Sequence, residues 1–284
     1  SRHPALTIPI LILFFSMLSF PQTVFTGASY GLVLWFRHVL PTLLPYMILI
    51  NVLICTPALH WICRITSTFL CPLLGTSYYG TFAVLTGFLC GYPMGAKTTS
   101  DLLNVNKISR SEASYLLSFC NNISPAFILS YVVAQNMKER NFAFLFPDSY
   151  IYTAYVEFYL PPLLPPARIL LFFPQVTPGS FSNPSESISD NFLDRCILNA
   201  FESVTKVGGY MMMFSVLIQL LASVLPNTIF SLLLYSSLEI STGIRLLFSS
   251  ALYTTEKIIL CAFLTSFGGW CCIAQTYSMI SSSQ

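Results

Sequence analysis

The chain has 284 residues, of which 13 are Lys or Arg and 11 are Asp or Glu, so 55% is hydrophobic and only 8% is charged. Soluble domains carry about 25% charged residues, so these few could not cover a soluble globule of this size. A mean hydropathy of +0.70 also excludes disorder and fibrous repeats. The composition is that of a polytopic integral membrane protein. A net charge of +2 without any basic run gives no footing for nucleic-acid binding.

A membrane span needs about 20 apolar residues. Ala5 to Phe20 is the first apolar stretch, after Arg2 and His3. That charged start also suits a signal peptide, but no small-x-small cleavage site follows, so the stretch reads as a first membrane segment. Further apolar segments fall at 40–63, 69–96, 113–135, 149–173, 197–226, 228–253 and 257–280. Two are unlike simple spans. Gly80–Ala96 holds Gly80, Gly87, Gly91, Gly95 and Pro93, and 257–275 holds Gly268 and Gly269 before Trp270. Broken backbone at membrane depth survives only where protein or a water-lined cavity satisfies it, so a re-entrant hairpin is expected at both places.

Residues 174–195, rich in Pro, Ser, Asn and acid, read as an exposed loop. They separate an N-terminal membrane half, 1–173, from a C-terminal half, 196–284, each with one Gly-rich hairpin. Traces of a repeat link the halves: PYMILINVLI at 45–54 against GYMMMFSVLI at 209–218, and Thr86-Gly-Phe-Leu-Cys-Gly against Thr265-Ser-Phe-Gly-Gly-Trp. Paired interrupted segments in two halves mark a transporter's binding site. Lys97, Lys107 and Arg110 precede segment 113–135, and Lys138 and Arg140 follow it, so charge bias assigns no orientation.

The richest stretch runs from Gly87 to Pro125. Gly87, Gly91 and Gly95 repeat every four residues, as on a helix-packing face. Pro93 inside that register argues against one straight helix, and a hairpin tip offering N–H groups to an anion is the other reading. Asn121, Asn122 and Ser124 lie in apolar sequence just before Pro125, which would free the Asn121 carbonyl. They form either a substrate site or polar joints between helices. Glu239, in Leu-Glu-Ile-Ser-Thr-Gly, is a candidate intramembrane carboxylate for a cation or proton, with Ser241 and Thr242 beside it; a helix end among headgroups is the alternative. Gln275 follows the second interruption, as a hydrogen-bonding counterpart or an interfacial residue. Glu157 and Arg168 share a helical face but stand about 16 Å apart, which suggests interfacial positions. The nine cysteines nearly all lie in apolar stretches without C-x-x-C pairs and read as small buried hydrophobes. No hydrolase, metalloprotease or phosphate-loop motif is present and the three histidines are scattered, so no enzyme, cofactor or metal is expected.

At these residues the chain resembles the sporulation integral membrane proteins of the YlbJ (SpoVV) type, within the nucleoside-recognition Gate group. The resemblance spans almost the whole chain. It rests on His38-Val-Leu-Pro-Thr-Leu-Leu-Pro45, Gly91-Tyr-Pro-Met-Gly-Ala-Lys97, Ser118-Phe-Cys-Asn-Asn-Ile-Ser-Pro125, Leu238-Glu-Ile-Ser-Thr-Gly243 and Ser266-Phe-Gly-Gly269 with Gln275. It implies a multi-pass transporter in the cell membrane or outer forespore membrane that exports dipicolinic acid toward the forespore. It also implies kinship with concentrative nucleoside transporters, and a further membrane segment beyond the second hairpin. The region 147–173, with Pro161-Pro162 and Pro165-Pro166, departs from a clean span.

The expected fold is therefore an all-α membrane bundle of two related halves with two re-entrant hairpins. The expected partner is a small anion, bound by Gly91, Tyr92, Pro93, Gly95, Lys97, Asn121, Asn122, Ser124 and Gln275. Lys97 could instead snorkel to the headgroups. Glu239, Ser241 and Thr242 would handle a coupling cation or proton. The lipid bilayer is the other partner, and an oligomer is compatible with the sequence. A scaffold for spore-envelope proteins and a nucleoside-like solute transporter are the alternative functions.

Overall fold

The computed structural model describes residues 4–137, 191–226 and 228–281, and every regular element among them is helical. Lys138, Arg140, the expected segment 149–173 with Glu157 and Arg168, and most of the polar loop 174–195 lie outside the described residues. Helix α1 (Pro4–Ser19) precedes a continuous helical run of 34 residues, Pro21–Ile54. That run contains α2 (Pro21–Leu34), a π-helical turn (Trp35–Val39) and α3 (Leu40–Ile54). The segment expected from residue 40 thus begins at Pro21. At 1.5 Å per residue it is about 50 Å long, more than the roughly 30 Å hydrocarbon needs. The π turn has a local cause. Pro41 lacks the N–H that would bond the Arg37 carbonyl, so the turn widens and the Leu40 N–H reaches back to the Trp35 carbonyl.

After α4 (Ala58–Leu74) come α5 (Gly80–Cys90) and α6 (Met94–Asn104), joined only by Gly91, Tyr92 and Pro93. Gly91 takes φ +79°, which a side chain would strain. The two helices fold back on each other, and a Cβ at Gly87 would lie 3.2 Å from the Gly95 Cα. Their outer ends also meet, because the Lys107 Nζ donates to the Ile54 carbonyl at 3.2 Å and sits 5.0 Å from the Tyr79 ring. Next, α7 (Arg110–Leu117) stops, residues 118–124 run unwound, and α8 (Pro125–Phe127) leads into a second π-helical stretch, Ile128–Met137.

The other half begins with α9 (Phe192–Val224), so the last four residues assigned to the polar loop are in or beside a helix. Helices α10 (Ile229–Leu238) and α11 (Ile240–Ser249) meet at Glu239 and fold back, with the Ser236 hydroxyl donating to the Gly243 carbonyl at 3.3 Å. A Cβ at Gly243 would overlap the Ser236 backbone. Segment 228–253 is therefore a helical pair, not one span. Helices α12 (Thr254–Phe267) and α13 (Trp270–Ser281) continue through Gly268 and Gly269 as one 27-residue apolar run, Thr254–Ile280. This corrects the sequence reading: the fold-back of this half lies at Glu239, and the Gly-Gly pair breaks a through-going helix. Glycines at φ +77° and +88° interrupt the hydrogen-bond ladder without reversing the chain.

The two long helices form the centre. Gly27 and Gly31 let α2 approach α9 so closely that a Cβ at Gly27 would lie 2.8 Å from the Val216 Cα, and one at Gly31 2.9 Å from the Met212 Cα. The Trp35 Nε1 donates to the Val204 carbonyl at 3.0 Å and its ring covers Gly208. The outer surface is apolar, with Phe14, Phe15, Trp61, Ile65, Phe69, Phe230 and Phe263 exposed. A soluble protein would not present such a belt, whereas lipid tails accept it. The chain is an integral membrane protein.

Two tests follow from this packing. Cysteines at exposed Ser77 and Ser111, with Cys55 and Cys71 replaced, should be labelled by an impermeant thiol reagent from one membrane face; labelling from opposite faces would show that α5 and α6 cross instead of returning. In Gly87→Ala the new methyl meets the Cys120 carbonyl, whereas a Cβ at Gly209 has nothing within 4 Å. Gly87→Ala should lose about 1–3 kcal/mol or more in a detergent thermal melt, and Gly209→Ala should melt like the parent.

Candidate functional site

The chain's interruptions meet. Gly91, at the tip of the first fold-back, lies against the unwound stretch, since a Cβ there would be 2.6 Å from the Ser124 N. The Tyr92 ring packs on Gly268, with a built Cβ 3.0 Å from its hydroxyl. Gly269 in turn faces the tip of the second fold-back, where a Cβ would be 3.1 Å from the Ser237 carbonyl. Between these elements lies a cavity of about 320 Å³. That is near the lower end of small-molecule sites, which run from roughly 300 to 1,000 Å³.

Its walls come from every one of these breaks. The first tip gives Tyr92, the unwound stretch gives Ser124, the second tip gives Glu239 and Ser241, and α13 gives Gln275. These five were expected at a site and are brought together. The sequence reading missed Arg37, His38, Thr42 and Tyr46 from the long helix, Phe127 from α8, and Tyr131 and Gln135 from the second π stretch. The His38 motif and Pro41 were visible signals. Arg37 and His38 fell between the expected segments 5–20 and 40–63, however, and so outside any expected span.

Other expected site residues lie outside the cavity wall and have structural work. Gly95 forms a notch with Gly87 that receives the Cys120 carbonyl, since a Cβ at either would overlap that oxygen. Asn121 accepts from the Ala96 N–H at 3.2 Å through Oδ1 and donates through Nδ2 to the Thr276 hydroxyl. It thereby caps the start of α6 from another element and ties it to α13. The Asn122 Nδ2 donates to the Phe119 carbonyl at 3.1 Å, which holds the unwound turn. Gly91 and Pro93 shape the tip. Both asparagines thus follow the reading as polar joints, because an unwound segment leaves carbonyls and N–H groups that side chains must satisfy.

Lys97 is a clearer correction. It is 4% exposed, forms an ion pair with Asp101 at 2.7 Å, and donates to the Asn51 Oδ1 at 3.1 Å. Asn51 then donates to the Cys196 carbonyl of α9 at 2.9 Å. This chain of polar groups joins α6, α3 and α9, and Lys97 neither lines the cavity nor reaches headgroups. Glu239 is 2% exposed and caps α11, accepting from the Ser241 N–H at 2.9 Å and the Thr242 N–H at 2.6 Å. The Ser241 carbonyl accepts from the Tyr131 hydroxyl at 2.8 Å, and the Thr242 hydroxyl is buried away from the cavity wall.

Fold and cavity together define an all-helical integral membrane protein with a chamber of solute size among broken helices. Over 306 aligned positions, covering 95% of this chain and 74% of its relative, it is 25% identical to the sporulation integral membrane protein YlbJ of Bacillus subtilis (strain 168). That likeness supports a YlbJ-type assignment. No family model matches the chain, and no solved structure does.

Removing one member of a buried ion pair costs about 3–5 kcal/mol when the other stays charged in a dry setting; Asp101 is 20% exposed, so the lower end applies. Asp101→Asn and Lys97→Met should both lower the melting temperature in detergent. Folded protein that remains should keep the affinity of the parent for any cavity ligand, and a selective loss of affinity would return Lys97 to the site.

Proposed function

We propose that this protein is a membrane transporter that carries a small organic anion through the cavity and serves sporulation, with dipicolinate as its substrate. The observation that carries this reading is the convergence of four helix interruptions on one chamber. Unwound backbone inside a membrane is costly unless it lines a solute path, and transporters place their sites where broken helices meet. Each described half holds a long helix, a folded-back pair and an interrupted helix, with α1 and α4 additional in the first, which supports a reading as paired transporter halves. The name of the Bacillus relative supports the link to sporulation.

The residues divide the work. Tyr92 and Gln275 offer polar groups to the cavity, and Ser124 holds its turn by accepting from the Phe127 N–H at 3.1 Å. A carboxylate substrate would be repelled by Glu239, so this residue serves a coupling cation or proton. Its two backbone N–H donors keep it in place at the tip of the second fold-back, where a change in its charge would alter the start of α11.

The reading is tested with the purified full chain in proteoliposomes. Dipicolinate should accumulate above the level of protein-free vesicles, and more steeply under an ion or proton gradient. Glu239→Gln keeps an acceptor for the α11 cap but loses the charge, and its uptake should no longer respond to the gradient. Uptake equal to that of empty vesicles under every gradient would overturn the transport function, and unchanged gradient dependence in the Gln variant would leave Glu239 as a helix cap only.

A further inference from the structure

Arg37 stands near the midpoint of the 34-residue run Pro21–Ile54, which is long and apolar enough to cross a membrane, so its position along that run is central. A charge inside a membrane-crossing run is expensive, and such residues face a partner or a water-filled cavity. Arg37 faces the cavity. Among the described residues no carboxylate lies within ion-pair distance of it, and the only ion pairs found there are Lys97–Asp101 and Lys206–Glu202. Glu239 lines the same chamber, but its two oxygens are each engaged by a backbone N–H. Among the described residues Arg37 is thus a cation on the wall without an ion-pair partner.

His38 stands beside it. Its Nδ1 is 3.4 Å from the Gln135 Nε2, and its ring meets the Tyr131 ring edge-on at 5.7 Å. With the amide donating to Nδ1, the imidazole keeps its other nitrogen as a donor. The π turn that carries both residues arises from Pro41, and such turns often occur at functional sites. A forked guanidinium next to an imidazole N–H is a set of donors without an acceptor, which complements a carboxylate.

We infer that Arg37, assisted by His38, binds the carboxylate of the transported anion and sets the selectivity of the cavity for anions over neutral solutes. This rests on the transport function proposed above and adds to it the residue that reads charge. The site is on the long helix, not among the first tip, the unwound stretch and Gln275, where the anion was expected.

The test compares two probes on the full-length detergent-purified protein: dipicolinate and its uncharged diamide, by equilibrium dialysis, with dipicolinate uptake measured in parallel. The parent should bind the dianion in preference to the diamide. Arg37→Gln should weaken dianion binding at least about tenfold, the scale of a lost charged hydrogen bond, and leave diamide binding unchanged, so the preference collapses. Arg37→Lys, which keeps charge but loses the fork, should recover part of the affinity. Arg245→Gln removes a cation stacked on Tyr30 outside the cavity wall and should leave the preference intact. If Arg37→Gln loses both probes, it has misfolded, and the Lys variant decides: recovered dianion preference supports the assignment and no recovery overturns it. Undiminished dianion binding by Arg37→Gln, with parent uptake intact, overturns the role of Arg37 while leaving transport standing. A parent that neither binds nor moves dipicolinate overturns both.

Discussion

The Cys120 carbonyl, seated between Gly87 and Gly95, is the contact on which the rest of the arrangement depends. A chain unwound inside a membrane must find partners for its backbone groups within the protein. Here it does so by pressing residues 118–124 against a folded-back helix pair that presents Gly87 and Gly95 to the Cys120 carbonyl. From that approach follow the cap that Asn121 gives α6, the bond from Asn121 to Thr276, and the contact of Gly91 with Ser124. The glycines are therefore spaced for approach, and the anion reading of their N–H groups gives way to a packing role.

Charge is placed under the same constraint. Lys97 is neutralised by Asp101 and shared with Asn51, and Glu239 is held by two N–H groups at a helix start. In a medium of low dielectric each buried charge needs its compensation built in, and both of these have it. Arg37 differs in that its compensation is absent from the described residues. The cavity wall holds this guanidinium together with Glu239, and the proposed handling of an anion rests on Arg37.

The apolar ten-mers at 45–54 and 209–218 both lie in the long central helices. The second pairing was offset. Residues 86–91 lead to a fold-back tip, whose counterpart by order is the turn at Glu239, while 265–270 breaks a through-going helix and corresponds to the unwound 118–124. Glycine content misled here because it marks any departure from the helix. A tip made with a buried carboxylate as cap, as at Glu239, needs no glycine at all.

Composition alone determined that this is a helical membrane protein, because 8% charge cannot cover a soluble surface. The positions of the first fold-back and of the unwound stretch were also legible, since Pro93 and Pro125 lack the N–H that a continuous helix requires. Five of the cavity residues could be named from polar side chains in apolar sequence. What only the tertiary structure decided was direction: that Lys97, Asn121 and Asn122 point into joints, and that Arg37 and His38 line a chamber. Hydropathy windows see an interval such as 35–41, with Arg37, His38 and Pro41, as an end, whereas the packed helix continues through it by widening one turn. Periodicity reports which residues are apolar; which neighbour each polar one meets is fixed only when distant elements are in place.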